Sequence, residues 1–64
     1  MTITKHHEEL AADVRRYGTI LERQEFQLGN SFKTSTVYVC NGKRYYITMT
    51  DGQLTYFHEG GKFL

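Results

Sequence analysis

Two dipeptides, Asn41-Gly42 and Asp51-Gly52, restrict what this chain can fold into more than any other feature. A two-residue type I′ hairpin turn needs positive φ at both central residues, and Asn-Gly and Asp-Gly meet that demand at least cost. The surrounding stretch, Thr36 to Glu59 (TVYVCNGKRYYITMTDGQLTYFHE), therefore reads as three antiparallel strands joined by two tight turns.

Turn length sets the register. With two residues in each turn, Cys40 faces Lys43, Tyr38 faces Tyr45 and Val37 faces Tyr46. The second hairpin then pairs Met49 with Leu54, Ile47 with Tyr56 and Tyr46 with Phe57. Side chains alternate between faces and directly opposed residues share one. One face is thus expected to hold Tyr38, Cys40, Tyr45, Ile47, Met49, Leu54, Tyr56 and His58. This is the better core. The other holds Val37, Val39, Arg44, Tyr46, Thr48, Thr50, Gln53, Thr55 and Phe57, a polar surface crossed by an apolar row of Val37, Tyr46 and Phe57. A slip of one residue in either turn would exchange these roles for the strand beyond it.

Upstream, residues 4–17 are predicted helical. Ile3, His7, Leu10, Val14 and Tyr17 recur at alternating spacings of four and three, and Ala11 widens the stripe. Thr4 is the expected N-cap. Arg15 and Arg16 lie in the last turn, where the helix dipole favours cations, and Asp13 is spaced to meet Arg16. Gly18 suits a left-handed position just past the helix end. Thr19–Leu28 (TILERQEFQL) fits either of two elements. As a strand it places Ile20, Glu22, Gln24, Phe26 and Leu28 on one face. As a helix it aligns Tyr17, Ile20, Leu21, Gln24 and Leu28 but leaves Phe26 outside the stripe. The break at Gly18 and the Gly-first turn signal Gly29-Asn30 favour a strand paired with residues 32–40, while Glu, Arg and Gln keep a second helix open.

The expected fold is α+β: one N-terminal amphipathic helix packed on one face of an antiparallel meander of three to four strands. It forms a single domain over residues 1–64, with the sheet over about 19–59. Gly60-Gly61 is expected to end the sheet and leave a short tail over residues 60–64.

Composition narrows the function classes. A chain of 64 residues buries only about 60% of its unfolded surface, so oligomerisation or a partner would add useful stability. Eight Lys or Arg against seven Asp or Glu give a near-neutral chain, unlike an acidic nucleic-acid mimic or a strongly basic binder. A lone cysteine, Cys40, fits a reducing, cytoplasmic setting. No apolar run approaches the roughly 18 residues of a membrane span, and the N-terminal stretch lacks the apolar core of a signal peptide.

Chemistry-bearing clusters are sparse. His6 and His7 point about 100° apart on a helix, and no HExxH, CxxC or comparable metal-ligand spacing occurs. Cys40 has no evident base beside it and reads as a small core hydrophobe rather than a nucleophile. Glu8, Glu9 and Asp13 read as solvated helix surface. The chain is therefore expected to have no enzymatic activity, no cofactor and no metal.

The aromatic row is the stronger signal. Tyr and Arg are over-represented among residues that dominate binding energy, and rigid aromatics lose little entropy on docking. Val37, Val39, Arg44, Tyr46 and Phe57 are the expected partner-binding residues of a non-enzymatic module that docks on a larger protein. A regulator or inhibitor of the kind encoded by phages or mobile elements fits this size. Addition of a strand at a sheet edge is a second mode of docking. Two alternatives stand beside this reading. One is a nucleic-acid-binding sheet that uses Arg44, Lys43, Lys33, Tyr46 and Phe57. The other is a homodimer that hides the row in a two-fold interface.

Overall fold

A computed structural model describes residues 2–62. Helix α1 spans Lys5–Tyr17 and four strands follow: β1 (Thr19–Leu28), β2 (Ser31–Cys40), β3 (Lys43–Thr50) and β4 (Gln53–Lys62). They pair in sequence order as one antiparallel sheet. Thr19–Leu28 is thus a strand, and the fold is the helix-plus-meander that the turn signals imply. No helix among the described residues is long and apolar enough to cross a membrane.

The helix begins as its sequence dictates. Thr4 accepts from the His7 backbone N–H at 3.2 Å, and the Thr4 N–H donates to His7 Nδ1 at 3.1 Å. This reciprocal capping box, with His at the third helical position, ties off two N–H groups that the helix itself cannot pair. Ala11 and Val14 are buried, with Ile3 and Leu10 packed beside them. Tyr17 departs from the expected stripe. It is 71% exposed and carries the Arg16 guanidinium 5.8 Å from its ring centre. Among the described residues, Arg16 forms no ion pair with Asp13.

Gly18 also departs from expectation, for a clear steric reason. Its φ of −79° and ψ of 165° are extended rather than left-handed. A Cβ there would lie 2.5 Å from the Val14 carbonyl oxygen, which accepts the Gly18 N–H at 2.7 Å. Glycine is required because the backbone passes so close to the last turn, and the chain goes straight from helix into β1.

Both I′ turns form, with φ of 53° and 75° at Asn41-Gly42 and 50° and 82° at Asp51-Gly52. At Gly29-Asn30 only the glycine has positive φ, at 61°, as the Gly-first turn requires. Asp51 does more than turn the chain. Its N–H donates to the Phe32 carbonyl, and its Oδ1 accepts from the Phe32 N–H, both at 2.9 Å, so the second turn is pinned to β2.

The β2–β3 register is the expected one, with Cys40 opposite Lys43, Tyr38 opposite Tyr45 and Val37 opposite Tyr46. The β3–β4 register starts as expected, with Met49 opposite Leu54, and then slips. Thr55 and Tyr56 both oppose Thr48, a β-bulge that places Ile47 opposite Phe57 and Tyr46 opposite His58. The Thr55 hydroxyl secures the bulge, bonding Thr50 Oγ1 at 2.9 Å and the Thr48 carbonyl at 3.3 Å. The slip reverses three expectations. Phe57 turns inward, while Tyr56 and His58 turn outward.

A second bulge lies in β1, where Leu21 and Glu22 share Val37 as partner. It separates Ile20, on the helix side, from Glu22, Gln24, Phe26 and Leu28 on the opposite face. Strand β4 continues through Gly60-Gly61 to Lys62 instead of ending at Glu59. Of the expected tail, Phe63 and Leu64 lie outside the described residues.

The core is one layer deep, made of Ala11, Val14, Tyr38, Tyr45, Ile47 and Phe57. Phe57 sits between two rings, 5.5 Å from His7 and 5.9 Å from Tyr45. Burying Phe at this position hides more apolar surface than His or Tyr would, with no polar tip to satisfy. The helix packs on β2 and β4 and over the buried Tyr45 and Ile47 of β3, and it leaves all ten residues of β1 exposed. A cleft of about 330 Å³ separates Arg15 of the helix from Arg23 of β1.

Candidate functional site

Among the described residues, nothing forms a second layer over the face of the sheet opposite the helix. Its central depression, about 260 Å³ in volume, is lined by Leu21, Glu22, Val37, Arg44 and Tyr46. Three strands supply these residues, and each has a local reason to be there. Val37 and Tyr46 are direct cross-strand partners fixed by the Asn41-Gly42 turn. Arg44 lies two residues before Tyr46 on the same face. Leu21 is accommodated by the β1 bulge, which puts it and the adjacent Glu22 on the same face of the sheet.

Tyr46 is half-buried because its ring lies over Gly60. A Cβ at position 60 would sit 3.0 Å from Tyr46 Cε2 and 3.3 Å from Arg44 Cβ. The glycine thus gives the ring a flat seat on the neighbouring strand. Next to it, His58 lies 5.8 Å from Tyr46 and 6.5 Å from Tyr56, centre to centre. Tyr46, His58 and Tyr56 form a continuous aromatic ladder along the outer two strands, with Tyr56 43% exposed.

Of the five residues singled out in the sequence, four share this face. Val37, Arg44 and Tyr46 meet in the depression, and Val39 lies beside Arg44 as its cross-strand partner. Phe57 does not belong. It is 3% exposed on the helix side, carried there by the Thr55 bulge. Leu21, Glu22, Tyr56 and His58 are present but were missed, the first two because of the β1 bulge and the last two because of the β4 bulge, neither of which turn signals encode.

Electrostatics bear on the nucleic-acid alternative. Lys33 and Arg44 do lie on the open face, but Lys43 does not. It points to the helix side and pairs with Glu59 at 2.8 Å. The hydrogen bond to Lys43 holds the Glu59 carboxyl below the ordinary carboxylate value, and the same bond raises the Lys43 ammonium above the ordinary lysine value. Two of the residues assigned to that alternative, Lys43 and Phe57, are therefore absent from the surface it requires.

Among the described residues, no group of three or more His, Cys, Asp or Glu side chains is placed to hold a metal ion. Cys40 is half-buried at the helix-side edge of the core. Comparison of the chain with protein families, curated proteins and solved structures gives no match.

Proposed function

We propose that this protein is a non-enzymatic docking module, acting in the cytoplasm, that covers a site on a larger protein with its open sheet face. The observation that carries this reading is the depression of Leu21, Glu22, Val37, Arg44 and Tyr46 on a face that no helix covers among the described residues. Its apolar floor takes a projecting aliphatic or aromatic side chain. Arg44 and Glu22 at its rim offer both signs of charge to orient that side chain's neighbours. Tyr46, seated over Gly60, is already held in place, so little rotamer freedom is lost on binding. The ladder of His58 and Tyr56 extends the contact along the sheet.

The test uses variants that leave the core intact. Tyr46→Ala and Leu21→Ala alter the depression, whereas Phe57→Ala would remove a core residue and cannot serve as a surface probe. Proteins captured by the wild-type chain are purified and their affinities measured for each variant by calorimetry. A true partner loses at least about 30-fold in affinity with Tyr46→Ala, the loss expected of a residue worth about 2 kcal/mol. It keeps full affinity with Glu9→Ala on the exposed helix surface. Equal affinity for all variants removes the open face as the docking surface. Recovery of DNA or RNA alone, released as salt rises, would transfer the site to nucleic acid.

A further inference from the structure

We propose that two copies of this chain pair along β1, antiparallel, to form one eight-stranded sheet with Arg23 of each copy opposite Glu25 of the other. This rests on the edges of the sheet and is independent of what the open face binds.

The two edges differ. Strand β4 is interrupted twice, by the bulge at Thr55 and by a register shift between Lys43 and Tyr45 opposite Gly60-Gly61. Bulges and glycines of this kind blunt an edge against pairing. Strand β1 has one bulge, at Leu21, and then runs regularly from Glu22 to Leu28. It carries neither Pro nor Lys, the residues that most often protect an edge. The helix does not cover it, and Ile20, Leu21, Phe26 and Leu28 are all large, apolar and exposed.

Hydrogen-bond phase allows only certain registers. The two-residue turn at Gly29-Asn30 makes Leu28 and Ser31 a hydrogen-bonded pair, so Glu22, Gln24 and Phe26 direct their backbone groups at β2. The bonds between Phe32 and Asp51 place the Phe32 backbone groups on the β3 side, in agreement with that phase. Arg23, Glu25 and Gln27 therefore present N–H and C=O to solvent along the free edge.

A two-fold axis perpendicular to the sheet must bring these odd-numbered residues into register with one another. Centring the axis on Arg23 or on Glu25 opposes like charges, which destabilises a cross-strand pair. Centring it on Gln24 opposes Arg23 to Glu25 twice. Within one chain these two side chains already form an ion pair at 2.8 Å, each about half exposed. In the dimer they become a ring of four alternating charges on the helix side of the sheet. On the open face Gln24 meets its own copy, and Phe26 of each chain lies beside Glu22 of the other.

Charge exchange tests both the dimer and its register. Sedimentation velocity of the wild-type chain from about 1 μM to 0.5 mM should show reversible association with a dissociation constant on the order of micromolar, as befits a small interface. Arg23→Glu and Glu25→Arg each create two repulsive pairs and should weaken association at least about tenfold. The double variant R23E/E25R restores two attractive pairs and should recover wild-type association. Mixing the two single variants should give a heterodimer, since an edge with two acids then meets an edge with two bases. A wild-type mass of one chain throughout overturns the proposal. So does association that the single variants leave unchanged, or that neither the double variant nor the mixture restores.

Discussion

Replacing Phe57 by Ala separates the bulged β3–β4 register from strict alternation. In the bulged register Phe57 is a core residue, 3% exposed and wedged between His7 and Tyr45. Truncating a buried Phe costs about 3–5 kcal/mol through lost transfer energy and the cavity left behind. A chain of 64 residues has a total stability of roughly 3–10 kcal/mol at the usual value per residue. The substitution therefore removes between a third and all of it. With a urea slope near 1 kcal/mol/M, the midpoint should fall by about 3 M or the protein should fail to fold. Tyr56→Ala, on the open face, should cost no more than about 1 kcal/mol. The assay is urea unfolding followed by far-UV circular dichroism. The reverse ranking, with Tyr56 costly and Phe57 tolerated, would refute the bulge. Deletion of Thr55 gives an independent check. It removes the extra residue but keeps Leu54 and Phe57 inward and Tyr56 outward, so the shortened chain should still fold.

Three further outcomes follow from particular contacts. Gly18→Ala would ordinarily stabilise by about 0.4–1 kcal/mol through the unfolded state, because φ is negative there. The 2.5 Å approach of the new Cβ to the Val14 carbonyl oxygen reverses the sign, and urea unfolding should show a loss of about 1–3 kcal/mol. Thr55→Val removes the hydroxyl bonds to Thr50 and Thr48 and should cost about 0.5 kcal/mol by the same assay, the low end for a solvent-accessible bond. The Glu59 carboxyl is lowered by its Lys43 bond, so its contribution is present above the ordinary carboxylate value and fades as pH falls through its folded value. Lys43 is raised, so its contribution holds below the ordinary lysine value and fades as pH rises through its folded value. Thermal midpoints against pH should therefore show a small acid-limb loss that Glu59→Gln removes. High salt should suppress it too, since the pair is exposed.

Legibility in the sequence followed the range of the interaction. Thr4, the Asn41-Gly42 and Asp51-Gly52 turns, and the β2–β3 register rest on contacts between near neighbours, and residue type alone declares them. The bulges at Leu21 and Thr55 rest on competition between whole strands. Strict alternation after Asp51-Gly52 would have buried Tyr56 and His58 and exposed Phe57. One inserted residue lets the most apolar of the three reach the helix. The run TYFHE carried that signal in its hydrophobicity, though not in its period. Gly18 misled for a related reason. A glycine after a helix usually marks a left-handed turn, and only tertiary geometry shows that this one makes room for a carbonyl. That Val37, Arg44 and Tyr46 share one face was legible because the regular register fixes them, and that Leu21 and Glu22 join them was not because a bulge does.

The same irregularities that obscured the register give the sheet its two unlike sides. At β4 they interrupt the edge and tilt Phe57 into the core, which leaves Tyr46, His58 and Tyr56 as the outward ladder. At β1 a single bulge sits close to the strand's start, so it adds Leu21 to the open depression and spares the regular run from Glu22 onward. The one helix among the described residues covers one face of the sheet, and it leaves every residue of β1 exposed. The apolar residues left over, Leu21, Phe26 and Leu28 among them, are concentrated on the uncovered strand. A second copy along β1 satisfies the backbone of that strand and sets the two open depressions on one side of a continuous sheet. The proposed docking face and the proposed pairing edge meet only at Glu22 among the residues of the depression, and the charge pattern of Arg23 and Glu25 can be altered without touching Val37, Arg44 or Tyr46.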